Sequence, residues 1–289
     1  MKPKHYYVPA QSHWPIVGSF GLFFTVLGIV NILHSHLYGW AIFLSGSFIL
    51  VFMMFGWFSS VISESEQGLY NEQLDRSFRW GMVWFIFSEV MFFGGFFGAL
   101  FYTRLLAVPW LGGIGAKLET HRMLWENFQA VWPVLQNPDP NQFIGPKESM
   151  GATGIPAMNT LILLCSGATI TWAHAALKNN HRRSLLIGLL ATIILGSLFI
   201  CLQAYEYHHA YTELGLTLDS GIYGTTFFML TGFHGAHVSI GTIMLIVIGV
   251  RCAKGHFTPE KHFGFEATAW YWHFVDVVWL LLFLFVYCL

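Results

Sequence analysis

Charged residues are scarce in this chain of 289 residues, where they make up 10% of the sequence. An ordinary soluble domain carries about 25%. Hydrophobic residues reach 55% and aromatic residues 18%. A soluble globule of this length could not hide so much apolar surface from water. The shortage of charge therefore excludes an ordinary soluble protein and indicates that lipid is the surrounding solvent.

Basic runs and paired cysteines are missing as well. The net charge is −1, and no cluster of Lys and Arg is present that would bind phosphate, which excludes nucleic acid as a partner. No two cysteines form a Cys-x-x-Cys pair, so the sequence supports neither a structural zinc site nor a disulfide framework. We interpret the four cysteines as small buried hydrophobes. They are Cys165, Cys201, Cys252 and Cys288.

Long apolar runs, in contrast, are abundant. A hydrocarbon core about 30 Å thick requires about 20 helical residues, and seven such runs are present. They predict an all-α membrane protein that forms a single domain over residues 1–289. The predicted helices are residues 14–33, 40–62, 78–103, 156–177, 184–205, 223–250 and 263–289. Residues 104–155 are predicted to form a long external loop, since Pro and Gly are frequent there.

The basic residues predict the orientation of these helices. Ten of the 14 Lys and Arg residues lie at the N-terminus or in the second, fourth and sixth connections. The other four lie in the long third connection or at its edge. Charges in long loops have little influence on the orientation of membrane helices. We therefore expect a cytoplasmic N-terminus and a periplasmic C-terminus. No short apolar core with a cleavage site follows Lys2 and Lys4, so we expect no cleavable signal peptide.

An acidic residue, Glu89, lies near the middle of the predicted third helix. A charge at bilayer centre costs from about 2.5 to more than 10 kcal/mol, so such a group needs a partner inside a bundle. Glu89 is either a proton-relay carboxyl or a neutral acid hydrogen-bonded across a helix interface, and we favour the second interpretation. Gly94 and Gly98 follow with the spacing that lets two helices approach closely.

Further ionisable residues lie in the predicted sixth and seventh helices. His234 and His237 share one face, three residues apart. They could bind a metal ion or haem, but the chain offers no third ligand at comparable spacing, so we favour hydrogen bonding. Glu266, His273 and Asp276 form one polar stripe on the seventh helix. We expect this stripe to face the two histidines.

Polar residues also end the predicted fifth helix. Glu206, His208 and His209 lie there, at the end away from the N-terminus. We interpret them as part of a wet, polar rim.

Six motifs resemble those of subunit III of the haem–copper cytochrome c oxidases, and they cover essentially all of the chain except the third connection. The chain has the first two helices and in this resembles the branch of the family that oxidises cytochrome c. Its long third connection resembles that of bacterial members. The motifs are Arg79-Trp-Gly-Met-Val-Trp-Phe-Ile-Phe-Ser-Glu89-Val-Met-Phe-Phe, Thr171-Trp-Ala-His174, Leu202-Gln-Ala-Tyr-Glu206-Tyr, Asp219-Ser-Gly-Ile-Tyr-Gly-Thr-Thr-Phe-Phe-Met, Thr231-Gly-Phe-His234-Gly-Ala-His237-Val and residues 262–279.

The resemblance implies a non-redox core subunit of a proton-pumping cytochrome c oxidase of the bacterial aa3 type, in the cytoplasmic (inner) membrane. Subunits 1 and 2 would hold haem and copper and pass electrons from cytochrome c to oxygen, while this chain would bind no metal and have no catalytic residue. It would stabilise subunit 1 and support proton uptake. It would also hold structural phospholipids in a V-shaped cleft between helices 1–2 and helices 3–7, which is a proposed oxygen route.

The resemblance also assigns roles to individual residues. Glu89 matches the family's membrane-embedded glutamate that reacts with hydrophobic carbodiimides. Trp57, Glu64, Arg79 and Arg251 match positions that line the lipid cleft, and an arginine can bind a headgroup phosphate bidentately. After Glu64, however, the chain lacks the lipid-contacting histidine of mitochondrial relatives, so the preferred headgroup stays open.

Three alternatives belong to other classes or branches. An independent proton-coupled transporter would also use carboxylates and histidines at the midplane, but such proteins typically consist of two related halves. A membrane haem-b carrier would need histidines paired across facing helices. Subunit 3 of a quinol oxidase is the third alternative.

Overall fold

The computed structural model describes residues 7–8 and 11–289, which form helices joined by turns and loops. Seven helices are long and apolar enough to cross a membrane, which confirms the predicted all-α membrane fold. Lys2 and Lys4 lie outside the described residues. The α-helices are α1 (Trp14–Leu33), α2 (Gly39–Glu66), α3 (Glu72–Tyr102), α4 (Val108–Leu111), α5 (Leu118–Leu124), α6 (Ile155–Lys178), α7 (Arg182–Thr212), α8 (Ile222–Lys254) and α9 (Phe263–Leu282).

Several helices extend beyond the apolar runs from which they were predicted. The third span continues from α3 through a π-helical turn, Thr103–Ala107, into α4. The third connection consequently begins after Leu111, later than the predicted residue 104. The last span, in contrast, keeps within the predicted residues 263–289, since α9 continues as a π-helical segment, Phe283–Cys288. Hydropathy marks only the apolar part of a span, whereas the backbone hydrogen bonds of a helix continue into polar residues at its ends.

The chain divides into two compact units, residues 1–80 and 81–289. In the first unit, α1 and α2 pack at very close range through glycines. A Cβ atom on Gly28 would collide with the backbone nitrogen of Phe43, and one on Gly46 with the backbone nitrogen of Thr25. Small residues at a membrane helix interface permit such close backbone approach. Glycine at both positions is therefore required by the packing of this helix pair.

Within the described residues, no other helix approaches closely at Gly94 and Gly98. Apart from the backbone of their own helix, no described atom lies within 4 Å of a Cβ built on either residue. The small-xxx-small spacing marks a surface on which close packing is possible, but it does not specify which glycine pair is used. In this fold the contact is made by α1 and α2 instead.

The second unit is organised around α9. Trp272 and Trp279 of this helix are fully buried. Their indole N–H groups donate hydrogen bonds to α6, at 2.9 Å to Ser166 Oγ and at 3.0 Å to Thr160 Oγ1. A buried tryptophan needs such a partner for its one donor. These two bonds fix how α9 is rotated against α6.

The cysteines are mostly at the helix surfaces. Cys252 is buried, but Cys165, Cys201 and Cys288 are exposed, so the interpretation of all four as buried is wrong for three. In a bilayer an outward-facing residue can be as apolar as a core residue, because lipid covers it. Hydropathy alone therefore does not separate the two faces of such a helix.

Candidate functional site

The central polar contact of the second unit joins Glu89 of α3 to His237 of α8. Nε2 of His237 lies 2.8 Å from Oε2 of Glu89. Both side chains are largely enclosed, with 13% of the His237 side chain and 22% of the Glu89 side chain exposed. The structure thus brings together two residues that lie 148 positions apart in the sequence.

The other ring nitrogen of His237 decides how protons are distributed in this pair. Nδ1 lies 2.6 Å from the carbonyl oxygen of Phe233. A carbonyl only accepts hydrogen bonds, so Nδ1 carries a hydrogen. The short Nε2–Oε2 contact then requires one more proton, held either by the imidazole or by the carboxyl group. In both cases the pair is neutral overall, which suits a membrane interior.

Aromatic rings surround this pair. The ring centroids of Phe92 and Phe93 lie 5.8 and 5.0 Å, respectively, from the ring centroid of His237. The Tyr271 hydroxyl donates to the backbone oxygen of His237 at 3.3 Å. Low polarity around a hydrogen bond strengthens its electrostatic part. We conclude that the pair is a strong local contact between α3 and α8.

His234 contacts α9 differently from the way the sequence predicted. It is buried, and its Nε2 lies 3.2 Å from the backbone oxygen of Val275. Its ring packs against Trp279, with 5.1 Å between ring centroids. The predicted pairing of His234 and His237 with the polar stripe of the last helix is wrong, because His234 contacts a backbone carbonyl and His237 contacts Glu89.

The polar stripe on α9 faces α6. His273 Nε2 lies 3.3 Å from Thr171 Oγ1, and His273 Nδ1 lies 3.8 Å from Asp276 Oδ2. A Cβ on Gly167 would lie 2.6 Å from Asp276 Oδ2, so this glycine leaves room for the carboxyl group. Helical periodicity places residues on a common face. It does not determine which neighbouring helix that face meets, and α9 packs against both α6 and α8.

Glu266, the third member of the stripe, belongs to another cluster. His174, His262 and Glu266 each place one ligand atom within 4.8 Å of those of the other two. The sequence pattern does not bring these three residues together. The separation of four residues between His262 and Glu266, at the start of a helix, was the available signal. Nothing in the sequence placed His174 of α6 beside them.

Glu206 is also placed differently from its prediction as part of a wet rim. Only 1% of the residue is exposed. Tyr287 donates a hydrogen bond of 2.7 Å to Glu206 Oε1. His208, two positions further on, is exposed as predicted.

Comparison with known proteins identifies one family along nearly the whole chain. The family model of cytochrome c oxidase subunit III matches residues 4–289. Cytochrome c oxidase subunit 3 of Marchantia polymorpha is 41% identical over 286 residues, which cover 98% of this chain and 96% of that protein. The chain belongs to the cytochrome c oxidase subunit III family. The resemblance read from the six motifs is thereby confirmed.

Other members of the subunit III family have a similar sequence identity to this chain. The probable cytochrome c oxidase subunit 3 of Rickettsia bellii is 41% identical over 289 residues, with 99% of this chain and 96% of that protein covered. That of Drosophila melanogaster is 42% identical over 277 residues, with 96% and 93% covered. As a member of this family the chain is a multi-pass membrane subunit of an oxidoreductase complex, and it has partner subunits.

Of the four positions that the subunit III resemblance assigns to lipid, Glu64 and Arg251 lie close to a helix end, whereas Trp57 and Arg79 lie further inside their helices. In the first unit, 41% of Trp57 is exposed, and Glu64 Oε2 accepts a hydrogen bond of 3.0 Å from the Tyr70 hydroxyl. Arg79 donates from Nε to Asp75 Oδ2 at 2.8 Å. In the second unit, the guanidinium group of Arg251 lies 4.4 Å from the ring centre of Phe257. Both arginines are thus held by neighbours on their own unit.

Proposed function

We propose that this chain is the non-redox core subunit of a proton-pumping cytochrome c oxidase in the bacterial cytoplasmic membrane. Subunits 1 and 2 are its partners, and they hold the haem and copper that carry electrons from cytochrome c to oxygen. The chain itself contributes no catalytic residue. The match to the subunit III family over residues 4–289 is the observation that supports this proposal best.

The pairing of polar groups inside the second unit supports a structural role. Glu89 bonds His237, His234 bonds a backbone carbonyl, and Glu206 bonds Tyr287. Hydrogen bonds of this kind between helices stabilise one arrangement of those helices. We infer that the chain thereby supports subunit 1, assists its uptake of protons and borders a route for oxygen. The N-terminus is on the cytoplasmic side and the C-terminus on the periplasmic side, from the distribution of Lys and Arg.

Phospholipid is the second proposed ligand. We infer that Trp57, Glu64 and Arg79 contact lipid on the first unit and that Arg251 does so on the second. A planar guanidinium group matches two phosphate oxygens. The contact with Asp75 orients the guanidinium group of Arg79, and the ring of Phe257 does so for Arg251. Such orientation lowers the entropy lost when a headgroup binds.

Co-purification tests the proposed function. A tag on this chain, with extraction in mild detergent, should recover a haem–copper subunit and an activity that oxidises reduced cytochrome c. After separation in harsher detergent, haem and copper should remain with the partners. A haem absorption band that stays with the isolated chain would refute the non-redox assignment.

The same preparation separates the remaining alternatives. If a quinol rather than cytochrome c reduces the complex, the chain is a quinol-oxidase subunit. If the purified chain alone moves protons with a solute in liposomes, the transporter alternative replaces the proposal.

A further inference from the structure

Three potential metal ligands converge where α6 ends and α9 begins. His174 lies one turn before Lys178, the last residue of α6. His262 is the residue before α9, and Glu266 lies in the first turn of that helix. One ligand atom from each lies within 4.8 Å of those of the other two. The cluster therefore lies near the end of two membrane spans, within the second unit.

Two of these side chains have nitrogen atoms suited to metal binding. Nδ1 of His262 lies 3.2 Å from the carbonyl oxygen of Thr258, so Nδ1 carries the hydrogen and Nε2 keeps its lone pair. A backbone carbonyl that fixes the tautomer in this way is typical of metal-binding histidines. Nε2 of His174 is buried and has no hydrogen-bond partner in the described chain. A buried nitrogen without a partner is destabilising, and a bound ligand would offset that cost.

The surrounding fold holds the three residues in place. The bonds from Trp272 to Ser166 and from Trp279 to Thr160 join α9 to α6. The backbone nitrogen of Glu266 donates to the His262 carbonyl oxygen at 3.1 Å, which closes the first turn between these two ligands. Tetrahedral zinc, about 2.0–2.1 Å from each ligand, needs its ligand atoms about 3.3 Å apart. The ligand atoms lie within 4.8 Å of one another, and rotation about the side-chain torsions of the three ligands supplies the remaining approach.

We propose that His174, His262 and Glu266 form a binding site for a zinc ion. Two imidazoles and one carboxylate are a known zinc ligand set, with a fourth position left for water. Calcium and magnesium prefer oxygen ligands only, so the two histidines disfavour them. Zinc does not change its redox state, so an ion bound here would take no part in electron transfer. Lys178 and Lys261 lie close in sequence to the ligands, so the surroundings also contain positive charge. The ion is therefore held by coordination to the three ligands rather than by general negative charge.

Zinc counting on matched variants tests the site. The full chain, with every subunit that co-purifies, is treated with a chelator, dialysed against micromolar zinc and analysed by mass spectrometry. His174→Gln and Glu266→Gln remove one ligand each. His208→Gln is the control, because His208 is exposed near the end of α7. We expect wild type and the control to hold one more zinc ion per chain than either ligand variant.

Three further measurements sharpen the test. The zinc dissociation constant should rise at least about tenfold in the ligand variants, since even changes outside the ligand shell weaken metal sites by 10–100-fold. X-ray absorption at the zinc edge should detect nitrogen and oxygen ligands at about 2.0–2.1 Å in wild type. Zinc should also raise the thermal unfolding temperature of wild type and the control, but not that of the ligand variants.

Equal zinc content in all four proteins would overturn the proposal, as would equal loss from the control. Iron in place of zinc at these residues would overturn the choice of metal. If His174→Gln fails to assemble, Glu266→Gln decides, because it preserves side-chain shape. The assay counts zinc per chain, so it remains valid even if no haem–copper subunit co-purifies and the proposed function fails.

Discussion

Nε2 of His237 and Oε2 of Glu89 lie 2.8 Å apart and join α8 to α3. Because Nδ1 of the same histidine donates to the Phe233 carbonyl, this contact contains a single shared proton. The imidazole and the carboxyl group therefore have no net charge as a pair, although each of them is ionisable. The stability of the α3–α8 contact should depend on both residues together.

Removing either partner should destabilise the protein, because the other is left buried without its bond. We expect Glu89→Leu and His237→Leu each to cost about 1–3 kcal/mol. The double variant should cost less than the sum of the two. Thermal unfolding of the purified complex measures all three. Glu89→Gln is the control, since its amide can still donate to Nε2. Additive effects of the two leucine changes would contradict the pairing.

The stability of the protein around the buried carboxyl group of Glu206 should depend on the Tyr287 hydroxyl. Tyr287→Phe removes the hydroxyl that donates at 2.7 Å, so the acid loses its hydrogen bond. We expect a loss of about 1–3 kcal/mol in the free energy of unfolding. Tyr205→Phe serves as the matched control, since Tyr205 is exposed. Equal unfolding temperatures for the two variants would show that the contact contributes nothing.

The tryptophan bonds between α9 and α6 give a third prediction. Trp272→Phe leaves a cavity and removes the partner of Ser166. A loss of about 2–4 kcal/mol is expected from the smaller ring and the lost bond together. Trp172→Phe, on an exposed surface of α6, should change stability by less than about 0.5 kcal/mol. Chemical or thermal unfolding in detergent distinguishes these outcomes.

The glycines between α1 and α2 should not tolerate a methyl group. Gly46→Ala places a Cβ against the Thr25 backbone, so the two helices must separate. We expect destabilisation by about 1–3 kcal/mol, as for other overpacked interfaces. Gly98→Ala provides the comparison, because nothing in the described chain lies within 4 Å of its Cβ. Proteolysis of the connection between α1 and α2 should accelerate only in Gly46→Ala.

The proposed lipid contacts predict a change in bound phospholipid. Replacing both Arg79 and Arg251 with Leu should reduce the anionic phospholipid that co-purifies, because each guanidinium group can bind phosphate bidentately. The oxidase should also lose activity sooner under sustained turnover. Arg122→Leu is the control, since this arginine pairs with Glu119 on an exposed loop helix. Unchanged lipid content by mass spectrometry would count against the assignment.

The sequence predicted the helices well but their partners poorly. The first predicted helix, residues 14–33, agrees with α1 at both ends. The glutamate of the third helix was recognised as a group that needs a partner, yet His237 was assigned to the acids of the last helix. The cluster of His174, His262 and Glu266 was missed because its members lie on two helices far apart in the sequence.

The seven spans and the subunit III family could be predicted from the order of residues alone. The free energy of moving a segment into lipid is a sum over neighbouring residues, so it can be read along the chain. Only the tertiary structure decided that Asp276 faces α6 and that His237 faces Glu89. The rotation of each helix follows from interhelical packing, such as the fit of Trp272 and Trp279 against α6, and these contacts join residues far apart in sequence.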